Sequence, residues 1–100
     1  MEQYTVGQTI LEQMGGAGMV RTMIGGTPLL MDNGLQIDFK GCRKANKVRI
    51  VLMADDTYTV TFYKFSRKTL DCPAVKGFEL VYADQLVNVF EQFTGLTLRL

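Results

Sequence analysis

A chain of 100 residues has material for one hydrophobic core and none for a second, which excludes a two-domain organisation. The composition, 47% hydrophobic and 21% charged, lies in the globular range and predicts a packed interior. A net charge of +1 is too small to steer a polyanion by overall field, so any anion preference must come from local clustering.

The longest apolar runs, such as Val48 and Ile50 to Met53, fall far short of the roughly 20 residues that span a bilayer. Met1-Glu2-Gln3-Tyr4 lacks the basic segment and apolar core of a secretory signal, so the expected location is the cytoplasm, away from membranes. There is no histidine, and Cys42 and Cys72 are the sole cysteines, which leaves the usual zinc sites without ligands and predicts no metal and no cofactor. A Cys42–Cys72 disulfide requires their loops to meet; in a cytoplasmic protein the expectation is two free thiols.

The first predicted element runs from Thr5 to about Met14. Val6, Ile10, Leu11 and Met14 form an amphipathic helical stripe, Thr5 with Gln8 has the form of a capping box, and Gly15-Gly16 end the helix. Met19 to Ile24 alternates weakly and reads as a short strand stopped by Gly25-Gly26-Thr27-Pro28. Leu29–Met31 and Leu35–Lys40 flank Asp32-Asn33-Gly34, a hairpin signal. In the second arm Leu35, Ile37 and Phe39 share one face, while Gln36, Asp38 and Lys40 share the other.

A polar loop from Gly41 to Lys47 leads into Val48–Met53, with Val48, Ile50 and Leu52 on one face and Arg49 on the other. Ala54-Asp55-Asp56 is a turn, and Thr57–Phe65 is rich in the Thr, Tyr, Val and Phe that suit a pleated surface. Tyr58, Val60 and Phe62 take one side of this strand, and Thr59, Thr61, Tyr63 and Phe65 the other. Ser66–Gly77, interrupted by Pro73, reads as a loop, with Thr69–Leu70 the one place for a brief edge pairing. Phe78–Val81 reads as a short last strand.

Tyr82, Leu86, Val89, Phe90 and Phe93 then give the clearest helical stripe, with Asp84 near its start and Gly95 at its end. Leu96–Leu100 is a short alternating tail suited to a sheet edge. The expected fold is therefore α+β: an antiparallel meander of four to five strands, with an N-terminal and a C-terminal helix packed on one face.

No catalytic constellation emerges. Cys42 beside Arg43 and Lys44 is the sole nucleophile with an activating charge nearby, and a cysteine in a basic loop is the plainer reading. Asp55-Asp56 makes a turn more readily than an acid pair, and Gly15-Gly16-Ala17-Gly18 follows a helix instead of opening one, unlike a phosphate loop.

What stands out is charge. Lys40, Arg43, Lys44 and Lys47, with Lys64, Arg67 and Lys68, make up seven of the eleven basic residues. In a meander they converge at one end of the sheet. Arg49 and Tyr63 lie on the face away from the helices, so the combination suits single-stranded nucleic acid, held by phosphate contacts and stacking. Val51, Met53, Tyr63 and Phe65 on that face equally suit a protein interface, including a homodimer.

The segments Thr9-Ile10-Leu11-Glu12-Gln13-Met14-Gly15-Gly16, Asn33-Gly34-Leu35, Arg43-Lys44-Ala45-Asn46, Val81-Tyr82-Ala83-Asp84-Gln85-Leu86 and Phe93-Thr94-Gly95-Leu96 resemble a family of small uncharacterised proteins of bacteriophages and integrated mobile elements. An arginine soon after the double glycine, matched by Arg21, belongs to that pattern. The resemblance spans nearly the whole chain and brings no catalytic residues. It implies a bacterial host cytoplasm and a small non-catalytic binder of host or phage machinery; beside the nucleic-acid reading of the basic residues, the alternative is a protein-binding module such as an inhibitor of a host defence enzyme or a phage assembly factor.

Overall fold

The computed structural model describes residues 6–98. Two short helices, α1 (Val6–Gln13) and α2 (Gly16–Ile24), precede five strands: β1 (Thr27–Met31), β2 (Gly34–Asp38), β3 (Lys47–Leu52), β4 (Tyr58–Tyr63) and β5 (Ala74–Val81). A 3-10 turn at Ala83–Gln85 then leads into α3 (Leu86–Thr94). The sheet is an antiparallel meander in the order β1-β2-β3-β4-β5, so the chain has the expected α+β architecture.

Period-2 patterning determines which side of the sheet is covered. Leu35, Ile37, Val48, Ile50, Tyr58, Val60 and Phe62 are buried, and the register aligns Leu35, Ile50 and Val60 in one row and Ile37, Val48 and Phe62 in the next. Ile10 of α1 and Met14 just after it join this core, and the Tyr58 hydroxyl donates to Gln13 Oε1 at 3.2 Å. From α3, Phe93 stacks on Phe62 with ring centroids 4.4 Å apart, and Phe90 meets Phe39 edge-on at 5.1 Å. Such aromatic pairs add attraction beyond the area they bury. N-terminal and C-terminal helices thus share one face.

The structure corrects several local expectations. Met19–Ile24 is helical: its apparent alternation is the i, i+4 pair Val20 and Ile24, both buried. The double glycine separates two helices, with Gly15 at φ 107° and Gly16 at φ 89°. It is Gly25 and Gly26 that end the helical region, their N–H groups bonding the carbonyls of Arg21 and Val20 in a Schellman-type cap. Thr27 and Pro28, expected in a turn, begin β1. The Thr5 half of the proposed capping box lies outside the described residues.

The β1–β2 hairpin also closes differently. Met31 pairs with Gly34, so the loop residues are Asp32 and Asn33, with Gly34 already in the strand. A Cβ at Gly34 would collide with the Ile50 carbonyl oxygen, so close approach of β3 requires glycine there.

Ala74–Gly77, expected in a loop, opens the eight-residue β5. Pro73 ends the loop, with its carbonyl accepting the Lys64 N–H at 3.1 Å. Two register shifts, between Phe62 and Tyr63 and between Tyr58 and Val60, insert extra residues into β5 and destroy its period-2 signal. Thr69–Leu70 lies in a turn instead of pairing at an edge. The tail from Leu96 to Leu98 forms no strand; Leu98 is buried, its N–H held by Glu91 Oε2 at 2.7 Å. No helix among the described residues is long and apolar enough to cross a membrane.

Candidate functional site

Because the described helices share one face, the opposite face of the sheet stays open. Its rows follow from the register: Asp38, Lys47 and Tyr63 lie side by side, then Gln36, Arg49 and Thr61, then Gly34, Val51 and Thr59. Neither edge invites a further strand. β1 is short and contains Pro28, and β5 is broken by its two register shifts, devices that protect edges from pairing. The open face, not an edge, is therefore the surface this sheet offers a partner.

One end of this face is basic and aromatic. Asp38, Phe39, Lys40, Asn46, Lys47, Phe65 and Arg67 line a shallow depression of about 360 Å³. Lys47 donates to Asp38 Oδ1 at 2.8 Å, a cross-strand ion pair at the end of the β2–β3 ladder, and its ammonium stands 5.9 Å from the centre of the Phe65 ring. One row along, the Arg49 guanidinium lies 5.4 Å from the Tyr63 ring centre and donates to Gln36 Oε1 at 2.9 Å. Cations on aromatic faces are held by the ring quadrupole, which keeps these charges close to the sheet.

Asn46 builds this end. Its Nδ2 donates to the Phe65 carbonyl at 3.0 Å and its Oδ1 accepts the Phe65 N–H at 2.8 Å, while its own backbone N–H donates to the Tyr63 carbonyl at 3.0 Å. The side chain thus substitutes for a missing stretch of ladder and carries Phe65 beyond the end of β4 onto the open face.

The predicted basic residues separate into groups. Lys40, Lys47 and Arg67 come together in the depression, with Arg49 and Tyr63 beside it. Lys44 turns the other way, 4.7 Å from the centre of the Phe93 ring on the helix-bearing side, so it does not belong to the open face. Arg43, Lys64 and Lys68 are exposed and outside the lining of the depression. Asp38, Phe39 and Asn46 join the site beyond the residues expected from the sequence. The alternation that put Asp38 with Lys40 on one face was the available signal, but pairing it with Lys47 requires the register.

The opposite end of the face has another character. Met53, Ala54, Asp55, Thr57, Thr59, Glu79 and Leu80 line a second depression of about 340 Å³, in which acidic and apolar groups replace basic ones. Val51 lies on the open face beside Thr59, in a half-buried position. The Thr57 hydroxyl donates to Asp55 Oδ1 at 2.6 Å, and this bond, with a second from the Thr57 amide, holds the Asp55 carboxyl below its ordinary pKa. Asp56 adopts φ 65°, so the Asp55-Asp56 pair does shape the turn. Cys42 is half-buried, Cys72 is exposed, and both thiols are free. Among the described residues no group of three or more potential ligands could hold a metal ion. Compared with family models, curated proteins and solved structures, the chain matches none.

Proposed function

We propose that this chain is a non-catalytic accessory protein of a phage or mobile element that binds single-stranded nucleic acid on the uncovered face of its sheet. The carrying observation is the pairing of cations with rings at one end of that face: Lys47 with Phe65 and Arg49 with Tyr63, with Lys40 and Arg67 alongside. A flat sheet presenting aromatic rings and guanidinium planes offers surfaces on which unpaired bases stack, and the cations neutralise the phosphates between them.

The test is a titration of a labelled single-stranded oligonucleotide at about 50 and 200 mM salt. Three phosphate contacts from Lys40, Arg49 and Arg67 should give a slope of log K against log salt of about −2. Absence of binding at the lower salt rejects the reading.

The far end of the same face favours a second reading, a protein-binding module such as an inhibitor of a host enzyme, an assembly factor or a homodimer. Leu80 is 65% exposed and Met53 45%, apolar surface beyond what a solvated sheet needs. A strict monomer by light scattering removes the homodimer. Failure to recover any stoichiometric partner from host lysate counts against the rest.

A further inference from the structure

An acidic side chain inside an otherwise basic depression is poorly suited to phosphate, and beyond its ion pair with Lys47 it offers the site an acceptor. Of the side chains lining the depression, Lys40, Lys47 and Arg67 can only donate hydrogen bonds, and Phe39 and Phe65 can do neither. Asn46 has its carbonyl oxygen and one amide proton committed to the Phe65 backbone. Among these side chains the Asp38 carboxylate is the anionic acceptor, 57% exposed, with Oδ1 engaged by Lys47 and lone-pair capacity remaining.

An ionised carboxylate accepts and does not donate, so it pairs with a base edge carrying two adjacent donors. Guanine alone among the four common bases has such an edge, in N1–H and the N2 amine. Adenine and cytosine set a ring acceptor beside their amine, and uracil flanks its single N–H with carbonyls.

Resting on the nucleic-acid reading of this face, we propose that the Asp38 depression is a guanine-selecting subsite. N1–H and N2–H of an unpaired guanine donate to the Asp38 carboxylate, the Phe65 ring forms an apolar wall for the base, and Lys40 and Arg67 hold the flanking phosphates. Lys47, bonded to Oδ1, orients the carboxylate. Asp38 then excludes other bases by leaving their acceptors facing a negative charge.

The experiment compares fluorescein-labelled uridine heptamers with one central guanosine, adenosine, cytidine, uridine or inosine, at low salt. The guanosine heptamer should bind about tenfold more tightly than the adenosine, cytidine and uridine ones, the size expected of a bidentate base contact. Inosine, which lacks the N2 amine, should lose most of that advantage with the protein unaltered. In Asp38→Asn, an exposed substitution, the preference should fall to within about twofold, as one of the two acceptors becomes a donor. Equal binding of all five heptamers, or a guanosine preference that persists in Asp38→Asn, overturns the subsite and leaves the nucleic-acid reading standing. Binding of none of them overturns both.

Discussion

Asn46 holds Phe65 by both of its backbone polar groups, with two side-chain hydrogen bonds of 2.8 and 3.0 Å spanning 19 residues of sequence. β4 ends at Tyr63, and these bonds fix the chain two residues further on, where Phe65 lines the basic depression. The loop that carries Lys40 is thereby tied to the strand end that carries Arg67.

Asn46→Ala breaks both bonds and leaves the Phe65 amide and carbonyl to find other partners. A cost of about 1–3 kcal/mol is expected, read as a lower urea midpoint. Oligonucleotide binding should weaken by more than the fraction unfolded explains, because Phe65 and Arg67 lose their position. Binding that stays at the wild-type level in the folded variant would separate Phe65 from the interface.

Gly34 meets a second constraint of close approach. A Cβ there strikes the Ile50 carbonyl, and a Cβ at Gly7 would lie 2.6 Å from the Gly34 carbonyl oxygen, so α1 rests on backbone at this point. Gly34→Ala should destabilise the fold by about 1–3 kcal/mol through overpacking, and Gly7→Ala by a comparable amount, with both effects visible in urea unfolding. A neutral Gly7→Ala would mean that α1 can lift from β2 without loss, and a neutral Gly34→Ala that β3 can give way at Ile50.

These contacts also show what a sequence can convey. Leu35, Ile37 and Phe39, and Tyr58, Val60 and Phe62, alternate because one side of their strands is buried, and that bias is visible residue by residue. The placement of Arg49, Tyr63 and Phe65 on the opposite side follows from the same alternation. β5 carries no such bias, since an exposed edge strand selects weakly for apolar residues and its two register shifts interrupt the period. α2 is hard to read in the sequence because nine residues offer few turns of helical pattern, and the buried pair Val20 and Ile24 fits a strand equally well. The Asp38–Lys47 ion pair depends on where two loops set the register, and Lys44 is diverted to Phe93 by a long-range packing contact. Neither is encoded in local spacing.

The β3–β4 turn should give the protein an acid-sensitive component. Thr57, buried and polar, donates its hydroxyl and its amide to Asp55, and these bonds hold the carboxyl below its ordinary value of 3.8. A carboxyl depressed by folding contributes stability that is fully present above its unfolded pKa and lost as pH falls through its folded one. The contribution of Asp55 should therefore be intact at neutral pH and disappear below about pH 3.8. Urea midpoints of the wild type and Asp55→Ala should differ at pH 6 and converge toward pH 2, whereas a constant gap would locate the effect of Asp55 in something other than its charge.

Leu80, like Leu70, sets local conformation against residue type. At the register shift where β5 leaves its regular pairing with β4, its backbone takes φ 57°, a left-handed conformation that costs a residue with a Cβ about 1 kcal/mol or more. The side chain is 65% exposed, so burial within this chain does little to offset that cost. Glycine removes the clash and forfeits little packing, although it adds freedom to the unfolded chain. Leu80→Gly should raise stability by about 1 kcal/mol, a shift of several degrees in Tm for a chain of this size. Leu80→Ala, which keeps the Cβ and removes the exposed branch, should leave Tm nearly unchanged; a rise equal to that of glycine would place the cost in the exposed apolar surface instead of the backbone. Should both variants lose a partner that the wild type retains, the strained leucine is held outward as an anchor for that partner, and the far end of the open face is a protein interface.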